Sequence, residues 1–152
     1  MSEQMMDPFK WNKKEYVFLA ARNVYALFDP EKYGLEPDAP HTACYKGFIV
    51  HFSVRKNQLY LDKLEVNCDN GIYPVINGVK AKKKWHGDFR IYHKLKMPLM
   101  YTGTIIIGQH LNEHFEERAF IGPHCYDITY ELEFKEGMLL NYKETSGIYH
   151  GF

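Results

Sequence analysis

Apolar and polar residues alternate with period two along much of this chain. That pattern marks strands with one buried face, because successive strand side chains point to opposite sides of a sheet. In the stretch Cys44 to Val66, Phe48, Val50, Phe52 and Val54 fall on one face, and Gly47, His51, Ser53 and Arg55 on the other, with Ile49 out of phase. Arg55-Lys56-Asn57-Gln58 is polar and reads as a tight turn. Leu59 and Leu61 open a return strand, with Tyr60 and Asp62 on its opposite side. Leu64 and Val66 continue the apolar series only if one residue near Asp62-Lys63 is skipped. The slip predicts a β-bulge, which bends and twists a strand and here would curl the sheet toward a barrel.

A second hairpin is predicted at Tyr126 to Tyr142. Tyr126, Ile128, Tyr130, Leu132 and Phe134 alternate with Asp127, Thr129, Glu131, Glu133 and Lys135. Glu136-Gly137 makes the turn, and Met138, Leu140 and Tyr142 return on the apolar face. Leu99 to Gln109 reads as a central strand, apolar on both faces at Ile105–Ile107. Asn77-Gly78 between short apolar runs predicts a two-residue turn with positive φ at both positions. Tyr16 to Phe28 fits either a buried strand over Tyr16–Ala21 or a helix over Lys13–Phe28, and Asp29-Pro30 ends it in both cases. Glu31 to Thr42, with Gly34, Pro37 and Pro40, reads as a loop. Residues 1–14 read as a loose arm with Phe9 or Trp11 docking on the body, Phe89–Tyr92 as a short strand in a basic loop, and His110 to Arg118 as one helical segment.

These elements predict a mainly β fold: a curved antiparallel sheet or barrel-like single domain of six to nine strands with one or two short helices, spanning residues 1–152. Aromatic residues are 16% of the chain, which favours pleated, half-buried surfaces. Lys+Arg and Asp+Glu both number 19, so no overall positive field argues for nucleic acid or an anionic membrane. MSEQMMDPFKWNKKEY lacks an apolar core behind basic residues, which predicts no signal peptide and, with no long apolar run, no membrane span. Cys44, Cys68 and Cys125 are odd in number and widely spaced, which predicts buried free thiols in a reducing cytoplasm.

Three groups of residues could carry chemistry. His110 and His114 are four apart, so a helix would bring them to one face, and His124 or Cys125 could supply a third metal ligand, though the spacing requires neither. Leu111 stands where the zinc-protease motif needs glutamate, and the plainer reading is a short exposed helix. Lys82, Lys84 and Arg90 are interleaved with Trp85, Phe89 and Tyr92, the combination that grips single-stranded nucleic acid by charge and stacking. The plainer reading is a solvated loop whose aromatics point inward. Asp127, Glu131 and Glu133 form an acidic outward face that would suit a basic protein partner, or simply discourage edge aggregation. No phosphate loop, nucleophile elbow, dinucleotide fingerprint or CXXC is present, and no cofactor is implied.

The hairpin carried by Cys44, Gly47, Phe48, Leu59, Tyr60 and Leu61 resembles one found in small uncharacterised bacterial β-rich proteins. The resemblance implies a bacterial origin and a β-rich fold, and no chemistry. The chain therefore reads as a non-enzymatic binding or interaction protein of the bacterial cytoplasm, in its most concrete form an immunity-type inhibitor of a toxin. One alternative is a small-molecule-binding β-barrel with Tyr45, Tyr60, Tyr101 and Tyr130 lining a cavity. The other is a metal-dependent enzyme using His110 and His114.

Overall fold

The structure, a computed structural model, describes residues 5–84, 87–111 and 125–145. Its strands in chain order are β1 (Pro8–Trp11), β2 (Lys14–Ala21), β3 (Phe48–Arg55), β4 (Gln58–Val66), β5 (Lys82–Lys83), β6 (Arg90–Tyr92), β7 (Met97–Pro98), β8 (Gly103–Leu111), β9 (Tyr126–Lys135) and β10 (Met138–Glu144). A short helix, α1 (Val24–Leu27), and a single 3-10 turn, Pro30–Tyr33, follow β2. The strand order β10-β9-β8-β2-β1-β3-β4 closes on itself where Met138 pairs with Gln58, giving a seven-stranded barrel. β1 and β3 run parallel and the other barrel pairings are antiparallel. β6 and β7 pair with β4, and β5 with β6.

The bulge falls where the alternation breaks. His51 pairs with Lys63 and Phe52 with Leu61, so Asp62 is the extra residue. Its insertion lets Leu59, Leu61, Leu64 and Val66 all reach full burial. Lys56 and Asn57 both have positive φ, as a two-residue turn matched to the strand twist requires, and Asn77 and Gly78 do the same beside the Ile76–Val79 bridge.

The side chains inside the barrel form one packed cluster. Phe9, Phe52, Leu59, Leu61, Ile105, Ile107, Leu132 and Phe134 are each at most 4% exposed, and each such burial contributes about 1.5–3 kcal/mol relative to exposure. Ile106 is also buried, so β8 is apolar on both faces as its composition suggests.

Several elements differ from the sequence expectations. Pro8–Trp11, expected within a loose arm, is a barrel strand, and Phe9 is fully buried. Tyr16 to Phe28 is neither one strand nor one helix: β2 ends at Ala21, Asn23 turns the chain at φ 55, and α1 follows. The central strand starts at Gly103 rather than Leu99 and runs on to Leu111, so His110 is in a strand, at φ 60, and not in a helix. The rest of the segment 110–118 lies outside the described residues. On β10 a register shift between Leu139 and Asn141 makes Leu140 a bulge. Met138, opposite Lys135, and Leu140 are exposed, Leu139 packs on the core instead, and the shift sets the half-covered Tyr142 opposite Leu132, in ring contact with Trp11 and Tyr130. Thr129, in phase with the acidic residues, is buried and bonds Thr145 through its hydroxyl.

The seam of the barrel depends on Gly137. Its φ is 84, its N–H donates to the Tyr101 carbonyl at 2.8 Å, and its carbonyl accepts from Leu59 N at 2.8 Å. A Cβ at this position would overlap the Leu99 carbonyl oxygen. Gly78, at φ 75, has open space around it. Gly137→Ala should therefore cost about 3 kcal/mol or more by urea unfolding, against about 1 kcal/mol for Gly78→Ala, which adds strain without overlap.

Candidate functional site

A cleft of about 620 Å³ lies where β2 ends and β3 begins, overlaid by α1 and the Pro30–Tyr33 turn. Phe18, Phe48, Val50 and Phe52 come to it from the barrel strands, and Leu27 and Phe28 from above. Phe18 and Phe52 are in ring contact, as are Phe28 and Phe48, so the walls are largely aromatic. The aromatic faces exist because β2 and β3 alternate: each strand turns every second side chain inward, toward this end of the barrel.

Polar groups enter the cleft at few points. Asp7, immediately before β1, is buried, and its Oδ1 accepts the Val50 N–H at 2.8 Å while Oδ2 pairs with the Lys46 ammonium. Lys46 also lies 4.7 Å from the Phe48 ring centroid. Asp29 and Glu31 stand on the rim, and the Asp29 carboxylate caps the Glu31 N–H at 3.1 Å. A cavity of this volume, mostly apolar with a few convergent polar groups, has the character of a small-molecule site.

The tyrosines expected around an interior cavity do not meet. Tyr45 is exposed, and Tyr60 lies beneath the Arg55 guanidinium on the outside. Tyr101 is buried and donates to the Arg22 carbonyl, and Tyr130 stacks edge-on with Trp11 and Tyr16. The barrel interior is occupied by the packed cluster, and the cleft is built from phenylalanines at one end. No tyrosine from that group lines it.

Asp127, Glu131 and Glu133 do share the outward side of β9, and Glu131 pairs across the sheet with Lys143 of β10. Among the basic residues, Lys82 is exposed on β5, while Arg90 on β6 lies over the Tyr73 ring at 5.5 Å. Lys84 is engaged by Glu65 at 3.0 Å. Phe89 and Tyr92 are buried, so they are not a platform for bases. Trp85 lies outside the described residues, as do His114 and His124. Among the described residues no group of three His, Cys, Asp or Glu is placed to hold a metal ion, and no helix is long and apolar enough to cross a membrane. All three cysteines are buried and unpaired.

Glu65 is a feature the sequence reading passed over. It is buried on the outer side of β4, with His51 Nε2 at 2.8 Å from Oε2 and Lys84 Nζ at 3.0 Å from Oε1. The His51 hydrogen bond, followed by the bond and charge of Lys84, outweighs desolvation and holds the carboxyl down to about 2, from 4.5. A folded-state value below the unfolded one gives stability that is present above pH 4.5 and is lost as pH falls toward 2. With Lys84 partly exposed and screened, that contribution is on the order of 2 kcal/mol. Glu65→Gln should be less stable than the native chain by this amount at pH 7, and the difference should vanish at pH 2, as read by denaturant unfolding at both values.

Compared with protein-family models, with curated proteins and with solved structures, the chain gives no match.

Proposed function

We propose that this is a non-enzymatic binding protein that takes a small, largely apolar molecule in the cleft beneath α1. The observation that carries the reading is the 620 Å³ cavity, walled by Phe18, Phe28, Phe48 and Phe52 and holding the Asp7–Lys46 pair. Aromatic rings supply large apolar contact with few rotatable bonds to order, and the ion pair fixes the orientation of a ligand with one polar end. The unpaired, buried cysteines favour a reducing compartment such as the cytoplasm. The β3–β4 hairpin resemblance favours a bacterial source.

Fluorescence titration with a neutral apolar dye tests the reading. Saturable binding at one dye per chain is expected. Val24→Trp, at a half-exposed position that lines the cleft, should weaken it by about tenfold or more by filling the space. Leu140→Asp, on the exposed part of β10, should leave it unchanged. Absence of saturable binding, or equal effects of the two substitutions, would dismiss the cleft as the site.

A second reading has its own support. The acidic side of β9 adjoins the exposed Leu140 of β10, an arrangement suited to a basic protein partner such as a toxin. Association with such a partner would weaken with salt and be lost in the Glu131→Lys/Glu133→Lys variant, as measured by titration of the two purified proteins.

A further inference from the structure

We infer that a second, basic cleft on the outside of the barrel binds a small ligand through a di- or triphosphate chain. This cleft, about 360 Å³ in volume, lies where β1, β3 and β4 meet the connection from β6 to β7. Lys10, Arg55, Lys63, Lys94 and Lys96 line it, and among the described residues Asp62 is its only carboxylate. Asp62 is already neutralised by the Arg55 guanidinium, at 2.8 and 2.7 Å. Lys63, Lys94 and Lys96 have no ion-pair partner among the described residues. The chain as a whole carries no net charge, so this concentration of cations in one concavity is a local departure. Like charges confined in a concave surface raise the local potential, which a multiply charged anion relieves.

The backbone is arranged to present these lysines. The Leu95 N–H donates to the carbonyl of the bulge residue Asp62 at 2.8 Å, and the Leu95 carbonyl accepts from the Asn77 side chain at 2.8 Å. Leu95 is buried, which leaves Lys94 and Lys96 on either side of it in the wall of the cleft. Both lysines are in the left-handed region, at φ 51 and 45. Most other non-glycine residues with positive φ here sit in two-residue hairpin turns, at Asn12-Lys13, Lys56-Asn57, Asn77 and Glu136. Lys94 and Lys96 do not, and glycine or asparagine would hold the same backbone with less strain. Strain kept at two positions that both place a cation in one cleft points to a use for the charge. Lysine ammonium groups act as point charges on phosphate oxygens, and His93, also lining the cleft, adds ring nitrogens, whereas His51 Nε2 is held by Glu65.

Isothermal titration of the full chain with inorganic triphosphate and, separately, with a nucleoside triphosphate tests the inference. Saturable one-to-one binding of triphosphate is expected, weakening as salt is raised. Equal affinity for the two ligands assigns the site to the phosphate chain alone, and tighter binding of the nucleoside triphosphate assigns it to a nucleotide. Lys94→Gly/Lys96→Gly should raise Kd by about tenfold or more without lowering the melting temperature, since glycine relieves the backbone. Lys82→Gln/Lys83→Gln removes the same charge from an exposed strand outside the cleft and should leave Kd within about twofold. Undetectable triphosphate binding, the same loss in both double variants, or a single-stranded oligonucleotide binding far more tightly than triphosphate would overturn the inference.

Discussion

Closure of the sheet is the constraint on which the rest of this structure depends. An open seven-stranded sheet would leave a row of unpaired backbone groups along β10 and would expose its apolar face. The closing contact is short. Only Met138 and Gln58 pair in register, supported by Leu59 N to the Gly137 carbonyl and Leu139 N to the Asn57 carbonyl. It works because Gly137 can adopt a left-handed turn pressed against the Leu99 and Tyr101 backbone, with no side chain intervening. Tyr101 is in turn held by its hydroxyl bond to the Arg22 carbonyl, and burial pushes its ionisation upward. A narrow seam thus keeps water from the interior cluster that supplies most of the stability.

Curvature and closure are linked through Asp62. As the extra residue of β4 it restores the inward phase of Leu64 and Val66 after Leu61, so one strand stays apolar inside along its whole length while bending. The same residue fixes what lies outside. Its carbonyl anchors Leu95 and its carboxylate holds Arg55. The two clefts therefore share strand β3: one opens among its inward phenylalanines, the other along its outward His51 and Arg55.

Much of this was legible in the sequence wherever the signal is local. Alternation locates β3, β4 and β9, and the phase slip places the bulge near Asp62-Lys63, where Asp62 is the extra residue. The tight turn at Arg55–Gln58 is legible from its polar run, and the one at Asn77-Gly78 because left-handed backbone restricts residue choice. What failed was long-range or depended on a short element. β1 is four residues in a polar segment, and its membership in the barrel comes from parallel pairing with β3, which leaves no local mark. Met138, Leu140 and Tyr142 share one phase in the sequence, yet Met138 lies opposite the outward Lys135 and the bulge at Leu140 brings Tyr142 opposite the inward Leu132, and nothing adjacent to them announces it. The aromatic cleft was missed for the same reason. Asp7 and Lys46 are 39 residues apart, and the phenylalanines come from separate segments. The basic loop around Phe89–Tyr92 misleads differently: Lys82, Lys84 and Arg90 with their aromatics look like one patch in the sequence, but Lys84 turns to Glu65, Phe89 and Tyr92 turn inward, and the nearby Lys94 and Lys96 join residues of β1, β3 and β4.

The buried thiols give the molecule a set of internal clocks. A cysteine reacts only as its thiolate and only when a reagent can reach it. Cys44 and Cys68 are both shielded, and burial pushes both thiols up. They belong to different regions: Cys44 packs with Ile49 and Phe89 in a small peripheral cluster, and Cys68 in the main core. Their rates of alkylation are therefore set by different opening events, one confined to the periphery and one that breaches the barrel's packed interior, so the same chain reports local breathing and deeper unfolding side by side.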